Sequence, residues 1–176
     1  MTAPEFARPE RIDMIGEGAR TIAIAADPAE RSALAARFGF IEVTDLHAEF
    51  SVNRDPGGIV ARGRVIARVV QRCVVTAEPI STHIDEPVAL RFVADESELG
   101  DEIELTADAL DIIPYADGVI DLGEAAAETM ALALDPFPRG ANAESVLREA
   151  GVLREGEVGP FSGLAALKAK LEGTPD

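Results

Sequence analysis

The chain has one cysteine, no tryptophan and one tyrosine in 176 residues. One cysteine excludes an internal disulfide and any multi-cysteine zinc site. The shortage of Trp and Tyr argues against a surface on which successive bases stack. Cations are also scarce, since 16 Lys and Arg stand against 32 Asp and Glu for a net charge of -16. Such a surface repels phosphate backbones, which disfavours a nucleic-acid binder of the usual basic kind and favours basic partners instead. No basic segment joins an apolar core of signal-peptide form, and no apolar run is long enough to span a membrane, so the sequence reads as cytoplasmic. With 47% hydrophobic and 27% charged residues, the composition is that of a globular protein with a single core.

What is present is alternation. Ile59, Ala61, Gly63, Val65, Ala67, Val69, Gln71 and Cys73 share one parity, while Arg62, Arg64, Arg68 and Arg72 share the other with Val60, Ile66 and Val70. Side chains alternate across a strand, so this run predicts one apolar face and one face bearing an arginine row. After a break at Glu78-Pro79, Ile80, Ile84, Val88, Leu90 and Phe92 again share one parity, and the two runs predict a hairpin over residues 59–93. Upstream, residues 9–13 suit a short edge strand and residues 20–25 another strand. Asp27, Pro28 and Glu30 are the N-cap, first and third positions of a helix over residues 28–38, with Leu34 and Phe38 inward and Gly39 as its left-handed cap. In residues 40–53 Ile41 and Val43 have one parity and Leu46, Ala48, Phe50 and Val52 the other, which predicts a bulge near Thr44-Asp45. Asp55-Pro56-Gly57-Gly58 then turns the chain into the hairpin. The expected fold is α+β, an antiparallel β-meander covered by two or three helices.

Residues 95–111 are strongly acidic, with Asp95, Glu96, Glu98, Asp101, Glu102, Glu104, Asp108 and Asp111. Their spacing does not match a calcium loop, so the run reads as solvated surface or as a docking site for a basic partner. Ile103 and Leu105 alternate with acids there and suit a further short strand. Asp121 and Glu124 are spaced as a capping box for a helix over residues 122–134, with Leu122, Ala125, Ala126, Thr129, Met130 and Ala133 on one stripe. Asp135-Pro136-Phe137-Pro138 stops it. Residues 139–159 have weak helical character around 144–150 and are expected to be mobile, and Leu164, Leu167 and Leu171 recur at helical spacing. Residues 1–139 are therefore expected to form one domain, and 140–176 a flexible segment ending in a short amphipathic helix.

Catalytic constellations are weak. Cys73 and His83 lie across the hairpin, where a thiolate–imidazole pair is conceivable, but Cys73 shares its face with Val65 and Val69 and reads as a small buried hydrophobe. His83 and His47 fall on the polar parity. No phosphate loop, dinucleotide glycine pattern or nucleophile elbow occurs, and no metal or cofactor is implied.

Two stretches, one running from Gly63 through Val70-Gln71-Arg72-Cys73 to Glu78-Pro79, the other from Asp121-Leu122-Gly123-Glu124 to Asp135-Pro136-Phe137-Pro138-Arg139, together resemble the YceD-type large ribosomal RNA subunit accumulation proteins. The motif residues are Cys73, Glu78, Pro79, Gly123, Glu124, Pro136 and Pro138, and Pro160-Phe161 with residues 164–168 is similar to the family's tail. The resemblance implies a part in accumulation of large-subunit ribosomal RNA, hence in ribosome assembly, and no enzyme activity. Many members carry a Cys-x-x-Cys pair; here Val70 stands at its first position and Cys73 is alone. Two mechanisms stay open. In one, Asp95, Glu96, Glu98, Asp101, Glu102 and Glu104 receive a basic ribosomal protein or assembly factor, and contact with ribosomal RNA is indirect. In the other, Arg62, Arg64, Arg68 and Arg72 bind RNA directly.

Overall fold

The alternation of residues 59–93 becomes the long central hairpin of a five-stranded sheet. The computed structural model describes residues 4–94 and 110–152; the acidic residues 95–108, with Ile103 and Leu105, and the closing segment with Leu164, Leu167 and Leu171 lie outside the described residues. In chain order the elements are β1 (Pro9–Arg11), β2 (Arg20–Ala25), α1 (Pro28–Phe38), β3 (Glu42–Asp55), β4 (Gly58–Arg72), β5 (Pro79–Ala94), β6 (Asp111–Tyr115), β7 (Val119–Asp121), α2 (Leu122–Leu132) and α3 (Ala143–Glu149). The sheet order is β2-β3-β4-β5-β6, and β1 pairs with β7 in a separate two-stranded ladder. Strands β2 to β5 are an antiparallel meander, and β6 joins β5 in parallel. The molecule is α+β.

Local chemistry fixes these boundaries. The Asp27 side chain accepts from the amides of Ala29 (2.7 Å) and Glu30 (2.9 Å) while Glu30 Oε2 accepts from the Asp27 amide (2.8 Å), a complete capping box at the start of α1. Gly39 ends the helix with φ of 73°. Between Val43 and Asp45 the β3–β4 register shifts, so one extra residue moves the apolar set of β3 onto the core face, as the change of phase predicts.

Inward positions of β3, β4 and β5 form one surface, including Leu46, Phe50, Val65, Val69, Ile84 and Phe92, all buried. Leu34 of α1 and Leu122, Ala126 and Met130 of α2 join them in one core. Phe6, ahead of β1, is completely buried in the same core.

Three details depart from the sequence reading. Helix α2 ends at Leu132 rather than Leu134; Ala133 is exposed, and Gly123 and Ala127 take part in the buried stripe. Its capping box forms by half: Asp121 Oδ1 accepts from the amides of Gly123 (2.9 Å) and Glu124 (3.1 Å), but the Glu124 carboxylate turns away to Arg37. A guanidinium offers two charge-assisted bonds, against one from the N-cap amide. Within 139–159 the weak helical signal is a formed two-turn helix, α3, whose Ala143 is buried.

Candidate functional site

Every arginine of the row is exposed, on the sheet face opposite Val65, Ala67 and Val69. Register places Arg62 beside Ser51 and Ala89, Arg64 beside Glu49 and Pro87, Arg68 beside Asp45 and His83, and Arg72 beside Pro79. Arg64 is ion-paired with Asp85, and on the same face Arg91 grips Asp55 through both carboxylate oxygens. The Arg91 guanidinium, ahead of the Gly57 amide, holds the Asp55 carboxyl below the usual carboxylate range although partial burial opposes it. Among the described residues Arg62, Arg68 and Arg72 make no ion pair. Asp45, Glu49, Asp55 and Asp85 share this face with the arginines, so it is mixed in sign rather than basic.

Of the acidic run only Asp111 is described; it is exposed at the start of β6, beside Leu90. Asp95, Glu96, Glu98, Asp101, Glu102 and Glu104 lie outside the described residues.

Residues of the two motif stretches meet at one end of the sheet. The turn between β4 and β5 is closed by Cys73 N–H donating to Glu78 O (2.8 Å) and Ala77 N–H donating to Cys73 O (3.0 Å), with Ala77 at φ 60°. The loop after α2 docks on this turn: Val74 N–H donates to Pro138 O (3.0 Å), Gly140 N–H to Cys73 Sγ (3.3 Å) and Gln71 Nε2 to Asp135 O (3.0 Å). Pro79 opens β5, where a residue without an amide donor is tolerated. At the other end of α2, a Cβ on Gly123 would stand 2.0 Å from Phe6 O, so only glycine lets the helix start press on the Phe6 backbone. Glu124 accepts from Arg37 Nη1 (2.9 Å) and Nη2 (2.5 Å), and Arg37 also reaches Glu5 (3.0 Å), tying α1 to α2. These two carboxylates raise the already high pKa of Arg37, Glu124 contributing most.

Cys73 is buried, 1% exposed, and His83 is exposed on the opposite sheet face, so the two do not form a pair. The Gly140 amide, then the side chain and amide of Thr76, lower the Cys73 thiol from 9.0 to about 7 against the opposing effect of burial. His47 is half-exposed beside Asp45, with Nδ1 3.3 Å from Oδ2. Among the described residues no three His, Cys, Asp or Glu side chains gather as metal ligands. Sequence reasoning found both motif stretches but not their contact: the pairing partners of turn 73–78 are backbone groups of loop 135–140, and no periodicity encodes them.

Residues 61–168, more than half of the chain, match the protein family described as large ribosomal RNA subunit accumulation protein YceD. No curated protein and no solved structure matches the chain.

Proposed function

The chain belongs to the YceD family of large ribosomal RNA subunit accumulation proteins, and we propose that it supports this accumulation by holding a basic ribosomal protein or assembly factor rather than the RNA backbone. The observation that carries this reading is the distribution of charge. Residues 95–108 bring seven carboxylates and no cation, whereas on the sheet face Arg64 and Arg91 already have carboxylate partners and Arg68 lies beside Asp45. At a net charge of -16 a polyanion is repelled at long range and a polycation is drawn in. Asp95, Glu96, Glu98, Asp101, Glu102 and Glu104 are the proposed landing site, contact with ribosomal RNA is indirect, and the setting is the cytoplasm, where subunits are assembled. No helix among the described residues is long and apolar enough to cross a membrane. The protein acts as a non-enzymatic factor; the expected boundary at residue 140 does not hold for the start of the closing segment, because Gly140 N–H donates to Cys73 Sγ and Ala143 is buried.

Pulldown from lysate at low and moderate salt tests the reading; enrichment of basic ribosomal proteins that weakens with salt is expected, and none at either salt defeats it. The exposed, unpaired guanidinium groups of Arg62, Arg68 and Arg72 favour a second reading, direct RNA binding. An Arg→Glu set at 62, 64, 68 and 72 decides between them, because an RNA gel shift abolished by that set would select RNA as the ligand.

A further inference from the structure

Leu132 is 86% exposed, the most of any large hydrophobic side chain among the described residues. With Ala133 of α2 it lines one side of a groove of about 200 Å³, and Val88 and Leu90 of β5 line its buried side. Glu86 and Asp111 stand at the rim. Glu86 has the inward parity of β5, opposite Val65, yet is exposed, so α2 leaves this stretch of the sheet uncovered. Among the described residues neither carboxylate makes an ion pair, and no Lys, Arg or His lines the groove. Other grooves differ in charge: the one beside Phe38 and Phe40 takes in Arg72, the one beside Pro28 takes in Arg31, and the one around Tyr115 has a single carboxylate, Asp117.

The chain beyond Val152 carries a complement to this groove. Leu164, Leu167 and Leu171 recur at helical spacing, and the chain's two lysines, Lys168 and Lys170, fall on opposite flanks of that stripe at about 100° per residue. So short a helix is marginal in water unless its apolar stripe is covered. Twelve residues lead from Val152 to Leu164. Extended, they reach about 40 Å, more than the roughly 30 Å width of a small domain, so chemistry rather than reach selects the site. We propose that residues 160–172 dock in this groove of their own chain, the three leucines against Leu132, Val88 and Leu90 and the two lysines toward Glu86 and Asp111. A tethered segment acts at an effective concentration of the order of millimolar, which favours it over a free partner in so small a groove. The inference goes beyond the role assigned to the acidic run and does not depend on it.

Amide hydrogen exchange of the full-length chain, read by mass spectrometry beside a synthetic peptide of residues 160–176, tests the docking. Amides of residues 164–172 are expected to exchange at least about tenfold more slowly in the chain than in the peptide. Leu132→Arg is expected to abolish that protection while β3, β4 and β5 keep theirs, since the side chain it replaces is outside the core. Lys168→Glu with Lys170→Glu, which alters no described residue, should abolish it too and decides the matter if Leu132→Arg disturbs the body. Combining that pair with Glu86→Lys and Asp111→Lys should restore the protection, because the signs are exchanged across the same contact. Exchange at the peptide rate in the parent, or protection that survives both Leu132→Arg and the lysine pair, overturns the inference. Protection that rises with protein concentration as a dimer forms would seat the segment on a second copy and overturn it as well.

Discussion

Gly123 stands where no side chain fits, because a Cβ would meet Phe6 O at 2.0 Å and Arg8 N at 3.0 Å, both backbone atoms of a segment that cannot swing aside like a flexible side chain. Gly123→Ala should therefore cost about 2–3 kcal/mol despite the better helix propensity of alanine, read as a fall in the urea midpoint. Cys73 gives a second expectation. Its thiol is lowered to about 7 yet 1% exposed, so Ellman's reagent at pH 8 should label it slowly in the native protein and rapidly in urea. Fast native labelling would mean that loop 135–140 opens readily. The same thiol links to stability: with a folded pKa below the unfolded one, the unfolded state holds the proton longer as pH rises. Stability should thus increase between about pH 7 and 9 in the parent, and this increment should be missing in Cys73→Ala. Cys73→Ala should also keep full cellular function, since nothing in the proposed role uses the thiol. That Cys73 is buried was legible from its parity; that Gly140 and Thr76 donate to it was not, because those contacts follow from how the loop after α2 folds back.

At the scale of elements, α1 illustrates a start that is both locally written and tertiary. Glu30 closes the capping box on Asp27 and also takes both terminal nitrogens of Arg8 at 2.7 and 2.9 Å. Chiefly the Arg8 guanidinium holds its carboxyl below its ordinary value near 4.5, against the opposing effect of burial and with a lesser contribution from the Asp27 amide. A depressed carboxylate contributes stability that is full above the unfolded pKa and is lost as pH falls through the folded one. Glu30→Gln should accordingly cost about 1 kcal/mol near neutral pH and lose stability less steeply than the parent below about pH 4.5, in denaturant melts followed by circular dichroism. The cap, the bulge at Thr44 and the β4–β5 hairpin were legible because each is a pattern within a few residues or one period. Arg8 as partner of Glu30, β1 as partner of β7 and the parallel seat of β6 on β5 were not, since each joins segments far apart in the chain. The choice of Arg37 over the N-cap amide by Glu124 belongs to the same class: spacing allows the box, and tertiary proximity overrides it.

For the molecule as a whole, the family match begins at residue 61, inside β4, whereas the fold does not. Strand β3 pairs with β4 along nearly its whole length and supplies Val43, Leu46, Ala48, Phe50 and Val52 to the core. Phe6 and Ile15 fill further core positions, and Arg8 N–H donates to Asp121 Oδ1 (2.8 Å) at the start of α2. A fragment of residues 61–176 would keep the motif stretches yet present β4 as a bare edge with its apolar face half uncovered. Exposed backbone donors and acceptors on such an edge invite pairing with other chains, and the lost burial of five apolar side chains, each contributing roughly 1–3 kcal/mol, is as large as the whole usual net stability of a domain. The fragment should therefore show no cooperative thermal transition and should bind a hydrophobic dye, while the full chain melts cooperatively. A cooperative melt in the fragment would mean that the matched segment is a self-sufficient folding unit. It would also mean that residues 4–60 contribute a surface to the partner rather than half of the core, which would move the search for the docking face from residues 95–108 to the N-terminal side of the sheet.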